Sequence, residues 1–247
     1  MQIIDTHSHL GSCRVFDLDT TQEELLNTMK KHGIAASIVQ PYPGAPEPRK
    51  VHDAIAKLAA DNSGKIFGLV SLTPHQNEET YVAEVERLVK DHGFVGVKLH
   101  TIGHAVNPLG SSANKIFETA NRLGVPVMIH TGPGIPFALP SLAIVRATQY
   151  PNLPIILAHA GWGIILGPEV HATVKTCKNI YLEPSWCSGW EKGMFISAVG
   201  ADRMMFGSDL TINVGNEVNQ FKTLDISDKD LEKCLYETPK RLFKLSV

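Results

Sequence analysis

Eight short apolar, β-branched runs recur along this chain, each followed by a stretch with helical periodicity, and that beat constrains the fold more than any other feature. The runs predict strands near 2–7, 34–40, 66–72, 94–100, 125–130, 154–159, 180–184 and 203–208. Helices are expected near 21–32, 50–62, 78–92, 112–123, 140–149, 168–177, 190–199 and 228–244. The helical reading rests on specific signals. Glu78-Glu79 leads into Tyr81, Val82, Val85, Leu88 and Val89, an i, i+3, i+4, i+7 stripe with an acidic first turn. Gly33, Gly93 and Gly124 sit just past three such stripes, where a left-handed cap favours glycine. The runs from Val125 to Ile129 and from Leu153 to Leu157 are apolar on both faces, as strands of a parallel sheet covered on both sides must be. Pro126 and Pro154 are tolerable there only because they fall near a strand start. Eight strand-helix units of roughly 30 residues predict the α/β class, as a single-domain (β/α)8 TIM barrel spanning residues 1–247. An open doubly wound sheet would more often place a glycine-rich phosphate turn after the first strand, and no linker or low-complexity segment divides the chain.

Composition limits what such a barrel does. Lys plus Arg is 23 and Asp plus Glu is 25, giving a formal charge of -2 with no basic stripe, so nucleic acid is not an expected partner. Cys13, Cys177, Cys187 and Cys234 are widely spaced without a Cys-x-x-Cys pair and read as reduced, buried thiols. The N-terminus has no charged-then-apolar leader and no run reaches membrane-spanning length, so a soluble cytoplasmic protein without a membrane partner is expected. The loops are short, which makes a homo-oligomer that completes a shallow mouth an open possibility.

A barrel of this kind collects its chemistry at the C-terminal ends of its strands. The first run ends in His7-Ser8-His9, and in a strand those two imidazoles share a face, a spacing suited to a divalent transition metal. Later runs end in Lys98-Leu99-His100, His130-Thr131-Gly132, His159-Ala160-Gly161 and Ser208-Asp209. Any one of these has a structural explanation: a lone strand-end His is often a satisfied core residue, and an Asp after a strand is often a helix cap. Coincidence across five units favours convergence on one mouth. Neutral imidazoles plus a carboxylate hold Zn2+ or a similar ion with a position left for water, whose pKa then falls from about 15.7 toward 7.

The series Asp5-Thr6-His7-Ser8-His9, Ile129-His130-Thr131-Gly132, Ala158-His159-Ala160-Gly161 and Gly207-Ser208-Asp209 resembles the amidohydrolase superfamily. It is most similar to the amidohydrolase-related branch that also contains aminocarboxymuconate-semialdehyde decarboxylase. The closing Tyr236-Glu237-Thr238-Pro239-Lys240-Arg241-Leu242-Phe243 is similar to that branch's final helix, with Thr-Pro where Asn-Ala is usual. The resemblance implies a metal-dependent enzyme in which His7, His9, His130 and Asp209 ligate the metal. Asp209 would also take a proton from water, and His159 would orient the water or polarise the leaving group. Some superfamily members carry a carbamylated Lys bridging two metals at the end of strand 4. The related decarboxylases use one metal without it, so one divalent ion is expected, Zn2+ first, with Mn2+ or a second ion as alternatives.

Lys98 is then expected to be a cation holding a substrate carboxylate, with His100, Arg14 and Trp186 as further substrate contacts. Glu183 is a candidate for the pocket or a partnered structural carboxylate. Trp162 and Trp190 are candidates for the rim, and Arg49 for a second clamp. The function expected first is hydrolysis of a small polar substrate, a lactone, amide or ester. The alternatives are non-oxidative decarboxylation of a small unsaturated or aromatic carboxylic acid and a TatD-like metal-dependent deoxyribonuclease. The latter lacks its bridging Glu here, because Lys98 takes that position.

Overall fold

The structure is a computed structural model that describes residues 1–247. The chain runs β1 (Ile4–Cys13), β2 (Leu18–Thr20), α1 (Gln22–His32), β3 (Ala36–Pro41), α2 (Pro48–Asp61), β4 (Ile66–Ser71), α3 (Glu78–His92), β5 (Gly96–Leu99) and α4 (Ser111–Leu123). It continues through β6 (Val127–His130), α5 (Ala143–Gln149), β7 (Ile155–Ala158), α6 (Gly167–Thr176), β8 (Ile180–Glu183), α7 (Gly189–Val199) and α8 (Val214–Lys222). The last helix is α9 (Asp228–Glu232), a π-helical turn (Lys233–Glu237) and α10 (Thr238–Leu242).

One sheet carries the strands in the order β2-β1-β3-β4-β5-β6-β7-β8. Every pairing from β1 through β3 to β8 is parallel, while β2 lies antiparallel on the outer end of β1. The expected α/β class is therefore present, on one curled sheet. The eighth unit differs. Residues 203–208 make no regular ladder, only a bridge from Met204 to Leu182. Their backbone still spans the gap: Met205 N donates to Leu182 O at 3.0 Å, and Thr6 N donates to Phe206 O at 3.1 Å. Phe206 N instead donates to Cys234 O in the C-terminal helix, and this diverted donor is why the segment escapes strand pairing.

The capping signals act where expected. Thr21 Oγ1 accepts from Glu24 N at the start of α1, Asn77 Oδ1 accepts from Glu79 N and Thr80 N at the start of α3, and Gly33 and Gly93 close those helices at φ 70 and 67°. Two elements were not expected. β2 is only three residues long, and α8 is disguised by Gly215, Asn216 and Asn219, although Val214, Val218 and Phe221 form its buried stripe. The last helix widens just before Pro239, which has no N–H to return to the preceding turn.

Two apolar layers hold the sheet. The outer layer joins strands to helices through residues such as Val39, Val70, Val97, Ile129 and Leu157. The inner layer, of opposite strand parity, packs Ile4, Ile38, Leu69, Met128, Ile156 and Met205 together, with Leu242 and Phe243 from the C-terminal helix. Each such buried side chain contributes roughly 1.5–3 kcal/mol. The polar residues collect at the opposite, C-terminal ends of the strands. No helix is long and apolar enough to cross a membrane.

Candidate active site

β1 delivers His7 and His9, with a register shift against β3 between Asp5 and Ser8. Their rings sit 5.2 Å apart, and His159, just past β7, lies 5.1 Å from His7. Asp209 follows the irregular segment 203–208. Its backbone N donates to His7 O at 2.7 Å. Asp5 ties this segment to β1: its carboxylate accepts from His7 N, Ser208 N, Ser8 Oγ and Ser208 Oγ. Burial raises the Asp5 carboxyl to about 7, against the pull of those donors.

The hydrogen bonds fix the imidazole tautomers. His9 Nδ1 lies 3.3 Å from Pro41 O, and a carbonyl can only accept, so Nδ1 carries the hydrogen. His7 Nδ1 likewise donates to Glu183 Oε2 at 2.7 Å. In the neutral form of each ring Nε2 is then a lone pair, and each Nε2 lies 3.2 Å from Asp209 Oδ1. His7 Nε2 also accepts from Lys98 Nζ at 3.0 Å. Burial, then the Lys98 cation, holds the His7 imidazole well below its ordinary range, so it is neutral. Two imidazole lone pairs turned on one carboxylate oxygen form the donor set of a divalent cation.

His159 is oriented in the same way. Ser185 Oγ donates to Glu183 Oε2 at 3.2 Å and so accepts from His159 Nδ1 at 2.8 Å. Burial lowers the His159 imidazole to about 4. His130 differs from the others: it is buried, and neither ring nitrogen has a partner. Its ring stacks on His100 at 4.2 Å and meets His159 edge-on at 4.8 Å. Orphaned nitrogens in a pocket of neutral imidazoles fit a ring kept for a ligand. His100 takes the opposite tautomer, because its Nδ1 accepts from Gly103 N at 2.9 Å and the hydrogen must sit on Nε2.

Much of the site is held in left-handed backbone. His159, Ala160, Trp162, Trp186 and Asp209 have φ of 64, 42, 40, 69 and 68°, a conformation that non-glycine residues adopt sparingly and that clusters at functional sites.

Over these residues lies a cavity of about 380 Å3, lined by His9, His100, His130, His159 and Asp209 below and by Phe16, Tyr42, Trp162 and Trp186 around the sides. Trp186 Nε1 donates to Asp209 Oδ2 at 2.8 Å. Two expected substrate contacts fall elsewhere. Lys98 is 1% exposed and lies beneath the cavity, because its strand parity aims it to the inner face of the sheet; burial lowers its ammonium to about 8. Arg14 is exposed beside β2 and does not line the cavity. Trp190 is 60% exposed on α7, also away from the cavity, and Arg49 pairs with Glu84 on the outside. Two contributors were missed or left open. Glu183 emerges as the partner of His7, and Tyr42 stacks on His9 with ring centroids 4.4 Å apart and planes 8° from parallel. The position of Tyr42, just past β3, is the signal that marked the histidines.

A family model described as amidohydrolase matches residues 22–245, and the chain belongs to that family. Among curated proteins it is 25% identical to gamma-resorcylate decarboxylase from a Polaromonas species, over 91% of this chain and 88% of the relative. Among solved structures it is similar to 2,6-dihydroxybenzoate decarboxylase from Rhizobium, with a TM-score of 0.80 and 19% identity over 99% of each chain. It is also similar to a Polaromonas dihydroxybenzoic acid decarboxylase with bound manganese and the inhibitor 2-nitroresorcinol, with a TM-score of 0.78 and 22% identity over 100% of this chain and 98% of that one. These relatives overturn the expectation of a hydrolase: each is named a decarboxylase, the activity that stood second among the expectations.

Proposed function

We propose that this protein is a metal-dependent, non-oxidative decarboxylase of a small hydroxylated aromatic carboxylic acid, built on a closed (β/α)8 barrel in which residues 203–208 form the eighth stave. The observation that carries the reading is the pair of Nε2 lone pairs on His7 and His9, each 3.2 Å from Asp209 Oδ1, at the floor of an aromatic-walled cavity. His7, His9 and Asp209 would hold the ion, with His130 as the fourth ligand. The nitrogen and oxygen donors suit manganese, the ion named for the Polaromonas relative, as well as zinc. Once bound, the cation supplies Lewis acidity toward the substrate's carboxylate and neighbouring phenol oxygens.

The chain's own residues supply the rest. At about 380 Å3 the cavity is near the small end of ligand pockets, which favours a single substituted ring. Tyr42, Trp162 and Trp186 offer faces for that ring. His100 presents Nε2–H, a donor suited to a carboxylate or phenol oxygen. The reaction adds one proton to the ring carbon as its bond to the carboxylate breaks and carbon dioxide leaves. Of the titratable groups that line the cavity, Asp209 and His159 are assigned to handle this proton, and an ortho hydroxyl raises electron density at the carbon that receives it.

The test is turnover of 2,6-dihydroxybenzoate by purified, manganese-loaded protein. The expected result is one carbon dioxide and one resorcinol per substrate consumed, abolished by chelation. Absence of carbon dioxide from any ortho-hydroxybenzoate in a panel, alongside turnover of lactones or esters, would overturn the reading.

A further inference from the structure

Outside the cavity, between α7 and α8, Lys192 Nζ lies 2.9 Å from Glu217 Oε2, and neither side chain is exposed. Burying two charges is expensive, and two apolar residues of similar volume would pack the helices as well, so the contacts of the pair indicate what it is for. Glu217 Oε1 accepts from the backbone N–H of Trp186 at 2.8 Å and from Asn213 Nδ2 at 3.1 Å. Asn213 Nδ2 also donates to Ser208 O at 3.0 Å, one residue before Asp209. Lys192 Nζ donates to Cys187 O and, at 2.6 Å, to Gln220 Oε1. The pair therefore grips residues 186 and 187 from behind, and through Asn213 the turn that carries Asp209.

The gripped residues face the site. Trp186 sits at φ 69°, a left-handed conformation that an aromatic residue adopts only when its surroundings hold it there. In that conformation its indole N–H reaches Asp209 Oδ2 at 2.8 Å. With Oδ2 held, Oδ1 faces the Nε2 atoms of His7 and His9.

We propose that the buried Lys192–Glu217 pair is a positioning device for Asp209, acting through Trp186: it locks the residue 186 backbone so that the indole fixes one carboxylate oxygen and aims the other at the histidines. The inference rests on the metal-site reading above, and its test separates the two. Three variants serve: Lys192→Met/Glu217→Leu, which removes both charges and leaves neither unpaired; Trp186→Phe; and the triple combination. The first readout is hydrogen exchange of the Trp186 indole N–H in the metal-free protein, with its resonance assigned by its loss in Trp186→Phe. The second is Mn2+ affinity by calorimetry.

Removing the pair is expected to speed indole exchange at least about tenfold and to weaken Mn2+ binding by roughly ten- to a hundredfold. Trp186→Phe should reproduce that loss of affinity, and the triple variant should lose little more. Unchanged indole exchange, or losses that multiply in the triple variant, would overturn the proposal. A pair that only cements α7 to α8 would lower Tm and leave both readouts in place. If the pair variant does not fold, the nearly isosteric Glu217→Gln is judged by the same two measurements. Should the unaltered protein bind no Mn2+, the metal reading fails, and indole exchange alone decides the positioning role.

Discussion

His7 Nδ1 donates to Glu183 Oε2 at 2.7 Å, with both side chains fully buried. This bond sets the tautomer that leaves His7 Nε2 as a lone pair in the site, and the negative charge behind the ring raises its basicity as a ligand. Glu183 is held in turn by Ser185 N at 2.7 Å and Ser185 Oγ at 3.2 Å, so a glutamine there must aim an amide hydrogen at a donor. Glu183→Gln is expected to weaken Mn2+ binding by roughly ten- to a hundredfold. Calorimetric titration of the metal-free protein checks it; equal affinities would reduce Glu183 to a structural carboxylate.

Gly207 leaves room for that carboxylate. A Cβ at residue 207 would stand 2.6 Å from both Glu183 Cδ and Oε1, closer than real contacts allow. Gly207→Ala must therefore displace Glu183, at a cost of roughly 1–3 kcal/mol by analogy with overpacked cores. Urea unfolding should show that loss, and Mn2+ affinity should fall with it. A stability loss with unaltered affinity would mean that the backbone, not Glu183, moved.

How far the site was legible depends on what each residue's position encodes. His7, His9, His130, His159 and Asp209 announce themselves because each ends an apolar run, and parallel strands covered by helices leave only their ends for polar chemistry. Lys98 has the right parity for the interior, but parity gives direction and not depth, so its place beneath the cavity was hidden. The irregularity of 203–208 was hidden as well, because its cause is a long-range bond from Phe206 N to Cys234 O. The roles of Glu183 and Trp186 depend on a partner more than 20 residues away, His7 in one case and Asp209 in the other. No local pattern reports such a pairing. The reaction was the least legible: ligand sets of one type serve hydrolysis and decarboxylation alike, and it is the relatives, not the motifs, that favour decarboxylation.

His130 offers a test in which stability and binding diverge. Both of its ring nitrogens are buried without partners, so truncation leaves no orphaned donor behind. His130→Ala is expected to change the stability of the metal-free protein by no more than about 1 kcal/mol. In the unaltered protein, Mn2+ at a hundred times its Kd should add about 2.7 kcal/mol, a gain the variant should largely lose. Thermal unfolding with and without Mn2+ measures both quantities. An equal metal-induced rise in Tm for the two proteins would remove His130 from the ligand set.

His52 gives a pH dependence away from the site. It is fully buried on α2, where Nδ1 donates to Pro48 O at 2.7 Å and Nε2 accepts from Ser71 N at 2.9 Å, so the neutral ring satisfies two backbone groups and has no lone pair left for a proton. Burial, against the smaller pull of Pro48 O, lowers its imidazole from 6.5 to about 4. Between those values the unfolded chain binds a proton that the folded chain refuses. Stability from this residue is thus complete above pH 6.5 and is lost as pH falls toward about 4, by roughly 3 kcal/mol in all. The other depressed histidines add to the same slope, so the measurement is a difference: urea unfolding from pH 7.5 to 4.5 for the unaltered protein and for His52→Gln. The variant should show the shallower acid decline, and matching declines would mean that the folded protein accommodates a proton on His52 as readily as the unfolded chain does.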